Sequence, residues 1–508
     1  MGAVTMVSRV FGLLRDTVIA AIFGASWITD AFWIAFRIPT TLSRLLGEGA
    51  LTASFIPVFT EYLQKKTKDE ALELAYNAFT FLSIILTFVS VLGIIFSPLI
   101  IRVIGIGFVS EKQFALAVFL NRLMFPYVFI ISLGALCMGI LNSFRRFASP
   151  ALSPVMWNIS IIVAALTLRS FFAEPITALA VGVLIGGVLQ LALQWPFLRK
   201  CGVKLKFRFN FRHPGLKQIG ILLIPAMLGQ GINTINILVG SMLASMLPGG
   251  SVTYLFYADR IMELPLGVFA IAIGTASLPS FSRHAAAGNM DELKSSISFS
   301  LRLMLFLTIP ATFALMTLNL PIISVLFQRG AFNTQAAIYT SEALFFYGMG
   351  LWAFSIVRVF VQSFFSLQDS KWPMIAALIA LFTNVIVSLS LMHPMQHRGL
   401  ALATSLSAIV SVFILSFVLR KKIGKFLDRS FYISIFKIIL SAVFMVGAIL
   451  LIDYFMPWDT SAGFKTRLIY LITAIFAGAG VFFISAYLLK SQEIHALVNM
   501  VKRRLNRP

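Results

Sequence analysis

The sequence predicts an all-α integral membrane protein of about 14 transmembrane helices, built as two six-helix lobes in parallel repeat with two further helices at the C-terminal end. Three observations predict it: the composition, the punctuation of the apolar runs, and a repeat at one fixed offset. Of 508 residues, 59% are hydrophobic and 12% charged, and the mean hydropathy is +0.92. Soluble cores cannot hide that much apolar surface from water. At roughly 20 apolar residues per crossing, the chain is consumed by membrane spans and leaves no room for a catalytic domain outside the bilayer.

Apolar runs separated by Gly, Pro and charges fall at 2–24, 29–63, 71–104, 112–143, 150–171, 176–198, 216–247, 251–282, 293–327, 335–366, 371–393, 398–419, 431–455 and 466–489. The second run is too long for one straight crossing and is expected to tilt, protrude or break near Gly47-Glu48-Gly49. The first run is not a cleavable signal, because Arg9, Arg15 and Asp16 occupy the place of an apolar h-region.

The net charge of +22 and isoelectric point near 10.3 would suggest nucleic acid in a soluble chain. Here the basic residues sit in short loops after even-numbered segments, among them Lys65, Lys66, Lys68, Arg199, Lys200, Lys204, Lys206, Arg208, Arg420 and Lys421. Such loops set orientation, with both termini in the cytoplasm and no nucleic-acid partner. Cys137 and Cys201 form no metal-binding or disulfide pattern. Gly182 and Gly186 have the spacing of close helix packing.

One constant shift in the numbering aligns Thr52-Ala53-Ser54 with Thr275-Ala276-Ser277, Arg37-Ile38 with Arg260-Ile261, and Ala178-Leu179-Ala180 with Ala401-Leu402-Ala403. Six segments per unit is an even number, so both copies cross in the same sense. The division is therefore a first lobe at 1–212, a second at 213–428, and an appended pair of helices with a basic tail at 429–508. Two parallel lobes around a seam are a transporter plan, since rocking them gives alternating access to a cavity between them.

Charges inside the apolar runs locate the cavity. Asp16, Asp30, Glu48, Asp259 and Glu263 fall there with Arg9, Arg15, Arg37, Arg44, Arg122, Arg260, Arg302 and Arg358, at a cost of roughly 2.5–3.5 kcal/mol each near mid-helix. Asp30, Arg37, Arg44 and Glu48 share one helical face, a stripe of about 27 Å if the helix is continuous. Arg260 can pair with Glu263 at i+3. Helix 7 offers only polar groups such as Gln230, Asn233 and Asn236. The cavity is thus net cationic and suited to a large phosphate-bearing anion, because guanidinium groups match phosphate oxygens bidentately. Competing structural readings stand beside this one: Arg15-Asp16 and Asp259-Arg260 as ion pairs, Arg44 and Arg302 snorkelling to headgroups, and Arg122 and Arg358 as packing or gate residues. Nucleotide-binding, zinc-protease and hydrolase motifs do not occur. Energy then comes from an ion gradient or the membrane potential.

The run from Ser8 to Asp16, with Phe23-Gly24-Ala25, Thr29-Asp30-Ala31-Phe32, Pro39, Gly47-Glu48-Gly49-Ala50 and Phe55-Ile56-Pro57, resembles the N-terminal signature of the MviN/MurJ-type lipid II flippases. So does Tyr257-Ala258-Asp259-Arg260-Ile261-Met262-Glu263-Leu264-Pro265. The resemblance covers essentially the whole chain. It implies a transporter, not an enzyme, of the multidrug, oligosaccharidyl-lipid and polysaccharide exporter superfamily in the bacterial cytoplasmic membrane. Its substrate would be lipid II, the undecaprenyl-diphosphate-linked disaccharide peptide, and its surroundings membrane lipids and cell-wall synthesis proteins. By motif position, Arg9, Arg15 and Arg260 correspond to head-group ligands, with Asp16, Asp30, Glu48, Asp259 and Glu263 as acidic partners or gate elements. Arg37 and Arg44 join the head-group set from the stripe, and Arg358 is a candidate gate. Where some members carry adjacent basic residues after the proline, this chain has Ser43-Arg44, so one expected head-group contact is either missing or replaced by Arg44. The resemblance implies a tail groove on helices 13 and 14. It implies no cofactor and leaves the coupling ion open among Na+, H+ and Cl−. A flippase for another polyprenyl-diphosphate-linked polysaccharide and a cation-coupled multidrug exporter are the alternatives.

Overall fold

The computed structural model describes residues 2–45, 50–204, 206–210 and 212–494, and among these every regular element is helical. In order they are α1 (Gly2–Phe23), α2 (Trp27–Ser43), α3 (Ala50–Lys65), α4 (Lys68–Ile95), α5 (Ser97–Ile104), α6 (Glu111–Met124), α7 (Pro126–Ser143), α8 (Ala148–Thr167), α9 (Thr177–Lys200) and α10 (Pro214–Ser245). There follow α11 (Ser251–Pro265), α12 (Ile271–Ala286), α13 (Met290–Thr317), α14 (Asn319–Phe327), α15 (Thr334–Ser366), α16 (Lys371–Met395), α17 (His397–Ile423), α18 (Arg429–Phe455) and α19 (Phe464–Leu488).

Among the described residues, ten helices are long and apolar enough to cross a bilayer, or eleven when the pair Ser251–Val268 and Ile273–Ala286, bent by 43°, counts as one span. The chain is a multi-pass membrane protein. Segments of the predicted set that fall short do so for visible reasons. The first carries Arg9, Arg15 and Asp16, and α2 is only 17 residues long with Asp30 and Arg37 inside it. In the long second run the described residues form α2, ending at Ser43, and α3, beginning at Ala50; Gly47-Glu48-Gly49, where a break is expected, lies outside the described residues. Other runs divide as well, α6 from α7 and α11 from α12 among them, and two further breaks show a proline at the restart. In one, α4 gives way to α5 at Phe96 with Pro98 in the first turn; in the other, α13 gives way to α14 at Leu318, just before Pro321. A proline tolerates the first turn of a helix but not its interior ladder, so it favours a restart over continuation.

These breaks recur at the offset of the sequence repeat. Glu111 and Thr334 begin α6 and α15, and Ala148 and Lys371 begin α8 and α16, each pair separated by the same shift that carries Thr52 onto Thr275. The α4–α5 and α13–α14 breaks, at Phe96 and Leu318, agree with that shift to within one residue, and Pro98 falls on Pro321.

Contacts divide the chain into two compact units, Met1–Thr253 with Arg329–Phe332, and Tyr254–Gln328 with Asn333–Pro508. In the first, α3, α4, α7 and α9 enclose a core of Phe55, Phe59, Leu74, Leu136, Ile140 and Leu198, with the Phe55 and Phe59 rings stacked at 5.1 Å. Here α1 packs on α8 and α2 on α6, and α10 packs against α2, α3, α4 and α5. The Gly182 and Gly186 stripe brings α9 against α8: a Cβ at Gly182 would lie 2.8 Å from Ala164 Cβ, and one at Gly186 2.7 Å from the Trp157 ring. In the second unit α17 packs on α15 and α16, and α13 on α15 and α18. Phe306 of α13 meets Phe482 of α19 at 5.2 Å. Large apolar side chains left outside, such as Phe88, Phe382, Phe436 and Phe476, form the surface that acyl chains cover.

The basic loop after α9 is pinned to α4. Backbone N–H groups of Lys204, Arg208 and Asn210 donate to Tyr76 Oη, Thr80 Oγ1 and Asn77 Oδ1 at 3.4, 2.9 and 2.9 Å. Its cationic side chains Lys204, Lys206 and Arg208 are exposed.

Candidate functional site

The charged first helix is held by its own charges. Arg15 is 5% exposed and Asp16 2%. The Arg15 guanidinium donates to Asp16 Oδ1 from Nε at 2.9 Å and from Nη2 at 2.6 Å, and from Nη1 to Asn158 Oδ1 of α8 at 3.1 Å. Its plane lies over Trp157, 4.9 Å from the ring centroid. Asn158 in turn donates to the Ser8 carbonyl at 3.3 Å. These bonds satisfy a buried pair and weld α1 to α8, an arrangement whose disruption on one side leaves an uncompensated buried charge. Arg9, two turns earlier, is half-buried and makes no hydrogen bond or ion pair among the described residues.

The stripe on the second run does not form one wall. Asp30 is 3% exposed and accepts from the backbone N–H groups of Gly250 and Thr253 at 2.6 and 2.9 Å, and from Thr253 Oγ1 at 2.6 Å. A carboxylate there satisfies orphan donors at the start of α11 and complements its dipole. Arg37 is half-buried and its Nε donates to Ser241 Oγ of α10 at 3.0 Å. Arg44 is exposed where α2 ends. Glu48 lies outside the described residues. The start of α11 covers Asp30 and α10 meets Arg37, so Asp30 does not line water.

In the second unit the predicted i+3 pair is present. Arg260 Nη1 donates to Glu263 Oε2 at 3.2 Å, with the Arg side chain 30% and the Glu side chain 51% exposed. The guanidinium also lies over Phe256 at 5.0 Å, and Asp259 beside it is half-buried. Arg260 is therefore oriented by an aromatic face and a carboxylate while part of it stays exposed. Arg358 is exposed on α15. Arg122 is exposed as well, and its Nε donates to the Ile94 carbonyl at 3.3 Å. Of the polar groups on α10, Asn236 is half-buried; the side chains of Gln230 and Asn233 are outside the description.

Arg302 does not snorkel freely: its Nη1 donates to Ser430 Oγ at 2.8 Å and to Gln492 Oε1 at 3.0 Å, and its Nε stands 3.7 Å from the buried Glu493 carboxylate. Glu493 escaped the sequence reading because it follows the last apolar run, in a region that looks like tail. Asn158, Ser241 and Thr253 also escaped it, since an isolated Asn, Ser or Thr in an apolar helix carries no pattern of its own. Thr253 alone had a signal, because it stands to Asp30 as Thr275 stands to Thr52 in the repeat.

With the repeat, the broken helices and the part-exposed guanidinium groups in place, the comparison with known proteins is decisive. A protein-family profile described as lipid II flippase MurJ matches residues 19–469. The chain belongs to the MurJ family. A probable lipid II flippase MurJ of Buchnera aphidicola subsp. Schizaphis graminum is 35% identical over 490 residues, covering 96% of this chain and 95% of the relative. The lipid II flippase MurJ of Burkholderia cenocepacia is 33% identical over 459 residues, covering 89% and 88%. A solved lipid II flippase MurJ in an inward closed conformation superposes with a TM-score of 0.79 at 28% identity, over 96% of this chain and 98% of that one. An inward-facing multidrug resistance MATE transporter of the MOP superfamily gives 0.71 at 15% identity, over 82% and 95%, and shows the shared fold alone. As a MurJ family member the chain is a transporter and not an enzyme.

Proposed function

We propose that this MurJ family member moves lipid II from the inner to the outer leaflet of the bacterial cytoplasmic membrane by alternating access. The lobes at 1–212 and 213–428 rock about their seam, both termini stay in the cytoplasm, and the polyprenyl tail remains in lipid along α18 and α19. The family match across 19–469 carries the reading.

The part-exposed arginines supply its chemistry. Arg9, Arg37 and Arg260 are the head-group ligands: each is partly exposed, permanently charged and able to bind a diphosphate in fork geometry. Arg44 adds an exposed cation where α2 ends. Arg15 acts through Asp16 as a positioning residue, since its donors are committed to α1 and α8. Glu263 and Asp259 orient Arg260, and Asp30, Glu48 and Arg358 belong to the gates. A membrane potential or an ion gradient drives the cycle, and delivered substrate passes to cell-wall synthesis proteins.

The test is transfer of labelled lipid II to the outer leaflet in cells depleted of their own flippase and rescued by this chain, wild type beside Arg260→Ala. Loss of one charge-assisted contact of about 1.5–3 kcal/mol predicts a 10- to 100-fold lower affinity. Rescue by wild type and failure of the well-inserted variant support the reading. Equal rescue removes Arg260 from the site, and failure of both with normal insertion points to another polyprenyl-diphosphate-linked glycan.

A further inference from the structure

The sequence repeat reappears as a set of exchanged contacts. Gly107, in the turn after α5, and Gly330, in the turn after α14, are repeat equivalents, and each seats on the last turn of the first helix of the other copy. The Gly107 N–H donates to Ser245 Oγ at the end of α10 at 3.2 Å. A Cβ on Gly107 would collide with the Ser245 carbonyl oxygen and with Met246 Cα. On the equivalent side, the Ala331 N–H donates to the Ala21 carbonyl at the end of α1 at 2.8 Å, and a Cβ on Gly330 would collide with that same oxygen. Gly330 also has φ of +56°, so any other residue there is strained as well as crowded. Backbone cannot swing aside as a long side chain can, so both seats require glycine.

Between the seats, Asp30 touches its own repeat equivalent, Thr253, at 2.6 and 2.9 Å. About a two-fold axis, a contact from one residue to another's image is matched by the reverse contact, and a residue that meets its own image lies on the axis. Two exchanged contacts, equivalent to within one residue because Ser245 corresponds to Ile22 and the second contact is to Ala21, and one self-contact therefore place a local two-fold at Asp30 and Thr253. All of these residues belong to the first compact unit, which is why Arg329–Phe332 belongs to it despite its distance in sequence.

We infer that Gly107 and Gly330 are paired latches that hold the outer side closed, pinned at their axis by Asp30, and that they release together in the transport cycle. The inference rests on the alternating-access reading, and on the orientation that puts the turns after odd-numbered segments outside. Each latch ties one copy to the first helix of the other, so the outer ends cannot separate while either stays seated. The rocking motion must therefore unseat both.

The test uses the full chain in nanodiscs of phosphatidylethanolamine and phosphatidylglycerol, with Cys137 and Cys201 replaced by Ala. Spin labels go on Lys112→Cys and Gln335→Cys, exposed repeat equivalents at the starts of α6 and α15. Double electron–electron resonance then reads the opening. Gly107→Ala and Gly330→Ala are each expected to raise the population at one common longer distance at least threefold, and the double variant to add no third distance. An unchanged distribution in either folded variant overturns the inference, as do two different longer distances.

If the alanine variants do not fold, an Ala21→Cys/Ala331→Cys pair serves. Its oxidised form must lose the longer distance and reductant must restore it; persistence after cross-linking overturns the latch. Lipid II transfer that continues through a cross-linked, closed protein would overturn alternating access while leaving the latch standing.

Discussion

Glu493 and Arg302 meet 3.7 Å apart between the C-terminal segment and α13, the carboxylate side chain only 2% exposed. Ser434 of α18 and Ser491 complete the acid's shell, each donating at 2.6 Å. At the other end of the same helix pair, Arg467 of α19 donates from Nη1 to Gln328 Oε1 and Ser324 Oγ at 2.8 and 3.0 Å. The two helices outside the repeat are thus tied to the second unit at both ends by polar clusters, with apolar packing between.

Arg302→Ala should destabilise the protein by about 3–5 kcal/mol, the cost of leaving a buried carboxylate without its cation. The Arg302→Met/Glu493→Leu double variant should lose less than Arg302→Ala alone, because it buries no charge. Thermal unfolding in detergent measures both, and a double variant worse than the single would contradict the pairing.

Arg15 and Arg9 should separate cleanly. Arg15→Lys cannot bond Asp16 and Asn158 together while stacking on Trp157, so it should lower the melting temperature and the amount of inserted protein. Arg9→Ala breaks no bond among the described residues and should leave melting unchanged while cutting lipid II transfer tenfold or more. A stable but inactive Arg15→Lys would move Arg15 back to the head-group set.

His213 predicts a pH response. Its Nδ1 accepts from the Gly215 N–H at 3.2 Å, capping α10, and burial holds the imidazole below its ordinary 6.5, Lys66 adding to the effect and Glu73 opposing it. Below 6.5 the unfolded chain takes up the proton first, so stability falls with pH through 6.5 and levels off once the folded imidazole is charged too. His213→Asn caps without titrating and should abolish the difference between melting at pH 7.5 and at pH 5.5. An undiminished difference would place the response elsewhere.

Asp369, in the turn between α15 and α16, responds in the opposite chemical sense. Burial pushes its carboxyl up, but Lys422 and the backbone N–H groups of Trp372 and Lys371 together hold it below the usual carboxylate range. Its stabilisation is present above the unfolded value near 3.9 and disappears as pH falls through the folded one. Asp369→Asn should flatten the acid limb of the stability profile, which circular dichroism between pH 5 and pH 3 would show.

Much of this protein is legible in its sequence because the bilayer leaves few choices. A chain this apolar must satisfy its backbone within helices, so the apolar runs foretold helices, and Pro98 and Pro321 mark the breaks at Phe96 and Leu318. The spacing of Arg260 and Glu263 foretold their pairing, and one fixed offset in the sequence foretold that the element order repeats. What the tertiary structure decided is where each charge is spent. Arg15 finds Asn158, Arg37 finds Ser241 and Arg302 finds Glu493 across separations of more than a hundred residues. Helical periodicity specifies a face but not what packs on it, so an arginine bound to a neighbour and one open to substrate read alike until the helices come together.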